Sequence, residues 1–167
     1  MEQLTYRNAL QADLPQIVAI YNSTIASRMV TADTEPVSTE SRQHWFDIHT
    51  PERRPLWVVE NEGKDMVGWI SFQSFYGRPA YNATVEISIY LDENFRGKGF
   101  GREMLKYAIQ HAPSFEVKTL LGFIFAHNTP SLRLFRSLGF EDWGTLPDIA
   151  ELDGKEVGLK IVGKRVG

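Results

Sequence analysis

The chain has 167 residues, of which 43% are hydrophobic and 23% charged, and its net charge is −3. That is enough chain for one domain with its own core, and too mild a charge to indicate a nucleic-acid or membrane partner. With no cysteine, disulfides, thiolate metal sites and a cysteine nucleophile are excluded. No apolar run approaches the roughly 18 residues of a membrane span, and no basic segment followed by an apolar core opens the chain, so a cytoplasmic location is expected.

Residues 4–9 read as a first strand. Asp13 is placed to cap a helix whose apolar face is Leu14, Ile17, Val18, Tyr21 and Ile25. Residues 29–39 are polar and contain Pro36, which predicts a loop. Ser38 or Thr39 then caps a second helix carrying Trp45, Phe46 and His49, broken at Pro51. Residues 56–60 and 66–75 form a hairpin around Gly63. Residues 82–91 alternate strictly. Val85, Ile87, Ile89 and Leu91 form one row; Thr84, Glu86, Ser88 and Tyr90 form the other. A helix from Gly99 to Pro113 follows, then a strand over 118–126, a helix over 128–138, and closing strands over 140–146 and 156–162 with a turn at Asp153-Gly154. The order β-α-α-β-β-β-α-β-α-β-β predicts an α/β or α+β fold with helices on both faces of a sheet.

The sharpest local feature is Arg96-Gly97-Lys98-Gly99-Phe100-Gly101, set between a strand and a helix. Glycines there let the backbone turn tightly and approach a ligand. The free amides and positive dipole end of the helix suit a phosphate, and Arg96, Lys98 and Arg102 add cations. The glycine spacing alone fits a plain strand–helix turn equally well. It does not fit the dinucleotide fingerprint, whose third glycine falls elsewhere, nor the Gly-x4-Gly-Lys-Ser/Thr phosphate loop.

Arg96-x-x-Gly99-x-Gly101, with a strand before and a helix after, resembles the Arg/Gln-x-x-Gly-x-Gly/Ala signature of the GNAT superfamily of N-acetyltransferases. Asn128 after strand 118–126, and later Leu138-Gly139-Phe140, match a second motif of that family. Ala32-Asp33-Thr34-Glu35-Pro36, Gly68-Trp69, Arg78-Pro79-Ala80-Tyr81 and Thr84-Val85-Glu86 resemble its phosphinothricin and methionine sulfoximine acetyltransferase group. The resemblance implies a mixed, mostly antiparallel sheet of about seven strands in a single domain spanning 1–167. It also implies acetyl-CoA as cosubstrate, a small-molecule amine acceptor and a possible homodimer.

It further implies roles for particular residues. Loop residues 96–102 would bind the CoA pyrophosphate. The main chain of Ile89, Tyr90 and Leu91 would pair with the pantetheine arm, and Asn128 would hydrogen-bond to it. Asn128 is equally a helix cap, and the side chains of Ile89 and Leu91 are equally core. Glu86 is the candidate base, since a carboxylate mid-strand is otherwise unfavourable; its other reading is an exposed face residue. Asp33 and Glu35 in the polar loop would grip a substrate ammonium, and Arg78 a substrate carboxylate; each is also readable as a solvated surface charge.

Seven residues after Asn128 the family places a Tyr or His able to protonate the leaving thiolate. Here the residue is Phe135, which has no exchangeable proton. Tyr90, a water or a backbone donor would then serve, or the thiolate leaves unassisted. His44 and His49, five apart, share no helical face, so no metal site is expected. A protein N-terminus or a polyamine as acceptor, and a CoA-binding module without catalysis, are the competing readings.

Overall fold

The computed structural model describes residues 2–167. The elements in chain order are β1 (Thr5–Asn8), α1 (Leu14–Ser23), α2 (Gln43–Asp47), β2 (Leu56–Glu60), β3 (Met66–Ser74), β4 (Thr84–Leu91), α3 (Phe100–His111), β5 (Thr119–Phe125), α4 (Thr129–Ser137), β6 (Glu141–Leu152) and β7 (Lys155–Arg165). The order is the one the sequence predicts. The strands form one seven-stranded sheet in the order β1-β2-β3-β4-β5-β7-β6. Only β4 and β5 pair parallel; the other neighbours are antiparallel.

Alternation along the strands builds a core on each face. Trp57, Val59, Ile70, Phe72, Val85 and Ile87 pack with Phe100, Met104 and Leu105 of α3 and with Leu132 and Phe135 of α4. Leu56, Val58 and Trp69 pack on the other face with Ile17 and Ile20 of α1 and, more loosely, Trp45 and Phe46 of α2. Each such buried side chain contributes about 1.5–3 kcal/mol of transfer free energy.

Three local expectations need correction. Asp13 stands at the N-cap of α1, but its side chain makes no bond to that helix's first amides. Its carboxylate accepts the Leu10 N–H at 2.7 Å and the Arg7 guanidinium at 2.8 Å, closing a preceding 3-10 turn instead. The second helix is only Gln43–Asp47, preceded by a 3-10 turn over Glu40–Arg42, and His49 lies beyond it. Its ring instead bonds the Trp45 carbonyl at 2.7 Å and Ser71 Oγ at 2.7 Å. The penultimate strand passes through Pro147 to Leu152, because β6 is an edge strand with a register shift between Leu146 and Ala150. A proline without an N–H is tolerated at such a bulge.

Candidate active site

The central feature is where β4 parts from β5. Their parallel pairing runs through Thr84–Thr119, Val85–Leu120 and Glu86–Leu121 and goes no further, while β4 continues to Leu91 and β5 to Phe125. On the other side β4 pairs with β3 along its whole length without a bulge. Asp92 N–H bonds to Val67 O at 2.8 Å, and Phe75 N–H to Thr84 O at 3.3 Å. Even-numbered main-chain groups of β4 therefore face β3, and those of Ile87, Ile89 and Leu91 face the gap. Tyr90 keeps its main chain turned to β3; what it offers is its side chain.

The gap is a cleft of about 410 Å³, walled by β4 and β5 and bordered by Thr31, Asn128 and Phe135. On the α1/α2 face lies a second cavity of about 210 Å³, lined by aromatic and aliphatic side chains and by Arg42. Glu86, Ser88 and Tyr90 line both spaces, so this row of β4 is the wall between them. Among the described residues, Glu86 and Arg42 are the only acidic and the only basic residue lining either cavity.

Burial pushes the Glu86 carboxyl above the ordinary carboxylate range, as expected where the charged form is desolvated. Burial, with the neighbouring Tyr21 as a lesser cause, likewise raises the Tyr90 phenol, which stays protonated at neutral pH. The Tyr90 ring stacks on Trp69 with centroids 4.6 Å apart and leans on Tyr21 at 5.1 Å.

Beyond β4 the chain reaches the glycine-rich loop. Gly97 and Gly99 have φ of 76° and 80°, in the left-handed region where a side chain costs free energy. Nothing lies within 4 Å of where a Gly97 Cβ would sit, so that glycine serves the turn and leaves the space above it open. Gly99 is the N-cap of α3, so the amides of Phe100, Gly101 and Arg102 have no partner within the helix. Phe100 is 2% exposed, and its side chain belongs to the core. Arg96 and Lys98 are exposed beside the loop. Arg102 is already engaged, donating to Ser137 Oγ at 2.7 Å across to α4. A turn with free amides, two exposed cations and a strand-lined cleft leading away from it fits a diphosphate joined to an extended arm.

Asn128 holds two parts together. Its Oδ1 accepts the Ser131 N–H at 3.2 Å, capping α4, and its Nδ2 donates to Met29 O at 3.0 Å, tying down the 29–39 loop. Phe135 packs edge-on against Phe140 at 4.9 Å and over Gly122, whose absent Cβ would lie 3.1 Å from the ring. The remaining sequence candidates do not converge on the cavities. Asp33 is drawn into an ion pair with Arg42 at 2.8 Å and also accepts from the Tyr21 hydroxyl. Glu35 and Arg78 are exposed and line neither cavity. Arg42, Trp45 and Trp69 line the smaller cavity, though the sequence assigns none of them a site role and marks Trp69 only as part of the Gly68-Trp69 resemblance. Arg42 sits in no motif, and the two tryptophans carry the same signal as core.

A family model described as an acetyltransferase (GNAT) domain matches residues 3–141. YwnH of Bacillus subtilis (strain 168), whose name gives phosphinothricin acetylation as a provisional activity, is 56% identical over 98% of this chain and 99% of its own. The L-methionine sulfoximine/L-methionine sulfone acetyltransferase of Pseudomonas aeruginosa is 31% identical over 92% of this chain and 89% of its own. Among solved structures, a phosphinothricin acetyltransferase from Sinorhizobium meliloti in complex with acetyl-CoA superposes with a TM-score of 0.91 at 27% identity, covering 98% of this chain and 89% of that one. The chain belongs to the GNAT family and is an N-acetyltransferase that takes its acetyl group from acetyl-CoA.

Proposed function

We propose that the acceptor is the primary amine of a small amino acid or amino-acid analogue, bound in the 210 Å³ cavity on the α1/α2 face. The observation that carries this reading is Glu86, a half-buried carboxylate lining both that cavity and the cleft between β4 and β5. The volume lies below the roughly 300–1,000 Å³ of common ligand pockets, which favours a small acceptor. A polyamine would call for several carboxylates, and Glu86 is the single acid present. The relatives are named for acceptors of the same class, phosphinothricin provisionally for YwnH and methionine sulfoximine for the Pseudomonas enzyme.

Acetyl-CoA supplies an activated acetyl group as a thioester. The chain supplies the rest. The amides at the start of α3, with Arg96 and Lys98, hold the diphosphate; the main chain of Ile89 and Leu91 offers strand-like bonds to the pantetheine arm. Glu86 accepts a proton from the substrate ammonium, directly or through water, freeing the nitrogen lone pair for attack. As the C–N bond forms and the C–S bond breaks, the Tyr90 hydroxyl, which lines the cleft, is the candidate proton donor for the sulfur, since Phe135 has no exchangeable proton. The thiolate is in any case a fair leaving group, with a thiol pKa of about 8.5.

The test is to incubate the protein with acetyl-CoA and a panel of amino acids, amino-acid analogues, polyamines and peptides, following thiol release. Turnover concentrated on the amino acids, and reduced in Glu86→Gln, is expected. Turnover confined to polyamines or peptides would overturn the reading.

A further inference from the structure

Arg42 carries a consequence for which amines the smaller cavity accepts. Its guanidinium lies over the Tyr21 ring, 4.9 Å from the centroid, and Nη2 donates to Asp33 Oδ2 at 2.8 Å. Asp33 also accepts from the Tyr21 hydroxyl. Ring and carboxylate together fix the plane of the guanidinium against the cavity wall. Among the described residues its other nitrogens have no hydrogen-bond partner, and the side chain, 29% exposed, lines the cavity. A held, half-buried guanidinium with unused donors presents the fork that matches a carboxylate. Glu86 is the only other charged residue lining that space. One anion and one cation facing a single small cavity suit a zwitterion, with its ammonium toward Glu86 and its carboxylate toward Arg42. Ile17, Val18, Val37, Trp45 and Trp69 make much of the remaining wall apolar, with Gln73 and Ser88 as neutral polar groups, which suits an uncharged side chain.

We propose that Arg42 is the residue that recognises the α-carboxylate of the acceptor, with Asp33 and Tyr21 as its positioning residues. The proposal rests on the reading of this cavity as the acceptor site. It makes the enzyme selective for free α-amino acids with apolar side chains over the matching amides and simple amines. It also gives Asp33 a task other than gripping the ammonium.

The test compares L-methionine with L-methioninamide, and L-leucine with L-leucinamide, in wild type, Arg42→Gln and Arg42→Lys. Both kcat/KM and calorimetric binding to the CoA-loaded protein are measured. The amide's amine is the less basic, so a preference for the acid cannot come from a larger free-base fraction. Wild type is expected to prefer the acids by about 10–100-fold, the magnitude of a charge-assisted pair. That preference falls to near unity in Arg42→Gln, because kcat/KM drops far more for the acid than for the amide, and it recovers in part in Arg42→Lys. Equal losses on acid and amide in Arg42→Gln, or no acid preference in wild type, would overturn the proposal. If wild type turns over none of these amines, the proposed acceptor class fails. The binding measurement still judges Arg42: acid-selective binding abolished in Arg42→Gln upholds its role, and unselective or absent binding refutes it.

Discussion

The two spaces that meet at β4 are built from different material. The cleft between β4 and β5 is walled by the two strands, largely with apolar side chains, and beyond β4 the chain runs on to a loop whose useful groups are amides. The cavity on the α1/α2 face is defined by side chains, two of them charged. The first suits a cosubstrate arm that needs main-chain pairing and a phosphate nest. The second suits an acceptor that must be chosen by its chemistry. Substitutions that change side-chain chemistry without moving the backbone should therefore damage the acceptor half of the reaction and spare cofactor binding.

The largest expected effect is at the shared wall. Glu86→Gln keeps the shape and removes the proposed base, so kcat with a preferred amine should fall about 10²–10⁴-fold near pH 7. In wild type kcat/KM should rise with pH through an ionisation above the usual carboxylate range, because burial holds the proton on Glu86 at lower pH. That acidic limb should vanish from the Glu86→Gln profile; a limb that persists would move the base elsewhere. Next comes the cleft's packing. A Gly122→Ala methyl would sit 3.0 Å from Val162 Cγ2 and 3.1 Å from Phe135 Cε2. Such crowding costs about 1–3 kcal/mol, readable as a lowered midpoint in urea unfolding. Asn128→Ala loses both the α4 cap and the tether to Met29. About 0.5–2 kcal/mol of stability should go with the cap, and faster hydrogen exchange in residues 29–36 should accompany it.

The smallest effect is a pH dependence on the side of the proposed acceptor cavity. Burial lowers the pKa of His49 from 6.5, so the unfolded chain takes up the proton first as pH falls. The stability His49 contributes is thus present above about pH 6.5 and is lost as pH falls from there toward its folded value. Urea unfolding should show a drop below pH 6.5 that is shallower in His49→Gln. An equal slope in both proteins would remove His49 from the account.

The same contrast explains what could be read from the chain. The glycine-rich loop is contiguous, and Gly97 and Gly99 mark backbone that other residues adopt only under strain, so it stands out in the sequence. The alternation of β4 fixed which of its residues share a face, and hence that Glu86 and Tyr90 point together. The smaller cavity draws on α1, the turn before α2, β3 and β4, and only the fold brings Arg42 and Glu86 to one space. No periodicity encodes that meeting. The exposed Arg78 and Glu35 show the converse, residues in recognisable motifs that line neither cavity. Helix ends are less legible: the Asp13 carboxylate bonds Arg7 and Leu10 rather than the amides of α1, and the second helix ends within one turn of Trp45, short of Pro51.

The division of labour at β4 is tested most directly by titrating acetyl-CoA calorimetrically into wild type, Glu86→Gln and Gly99→Val, each checked for native circular dichroism. The account predicts wild-type affinity for Glu86→Gln. For Gly99→Val it predicts a dissociation constant raised about tenfold or more, because a β-branched residue at φ 80° displaces the amides of α3. Undiminished affinity in a folded Gly99→Val protein, with weakened binding in Glu86→Gln, would contradict it.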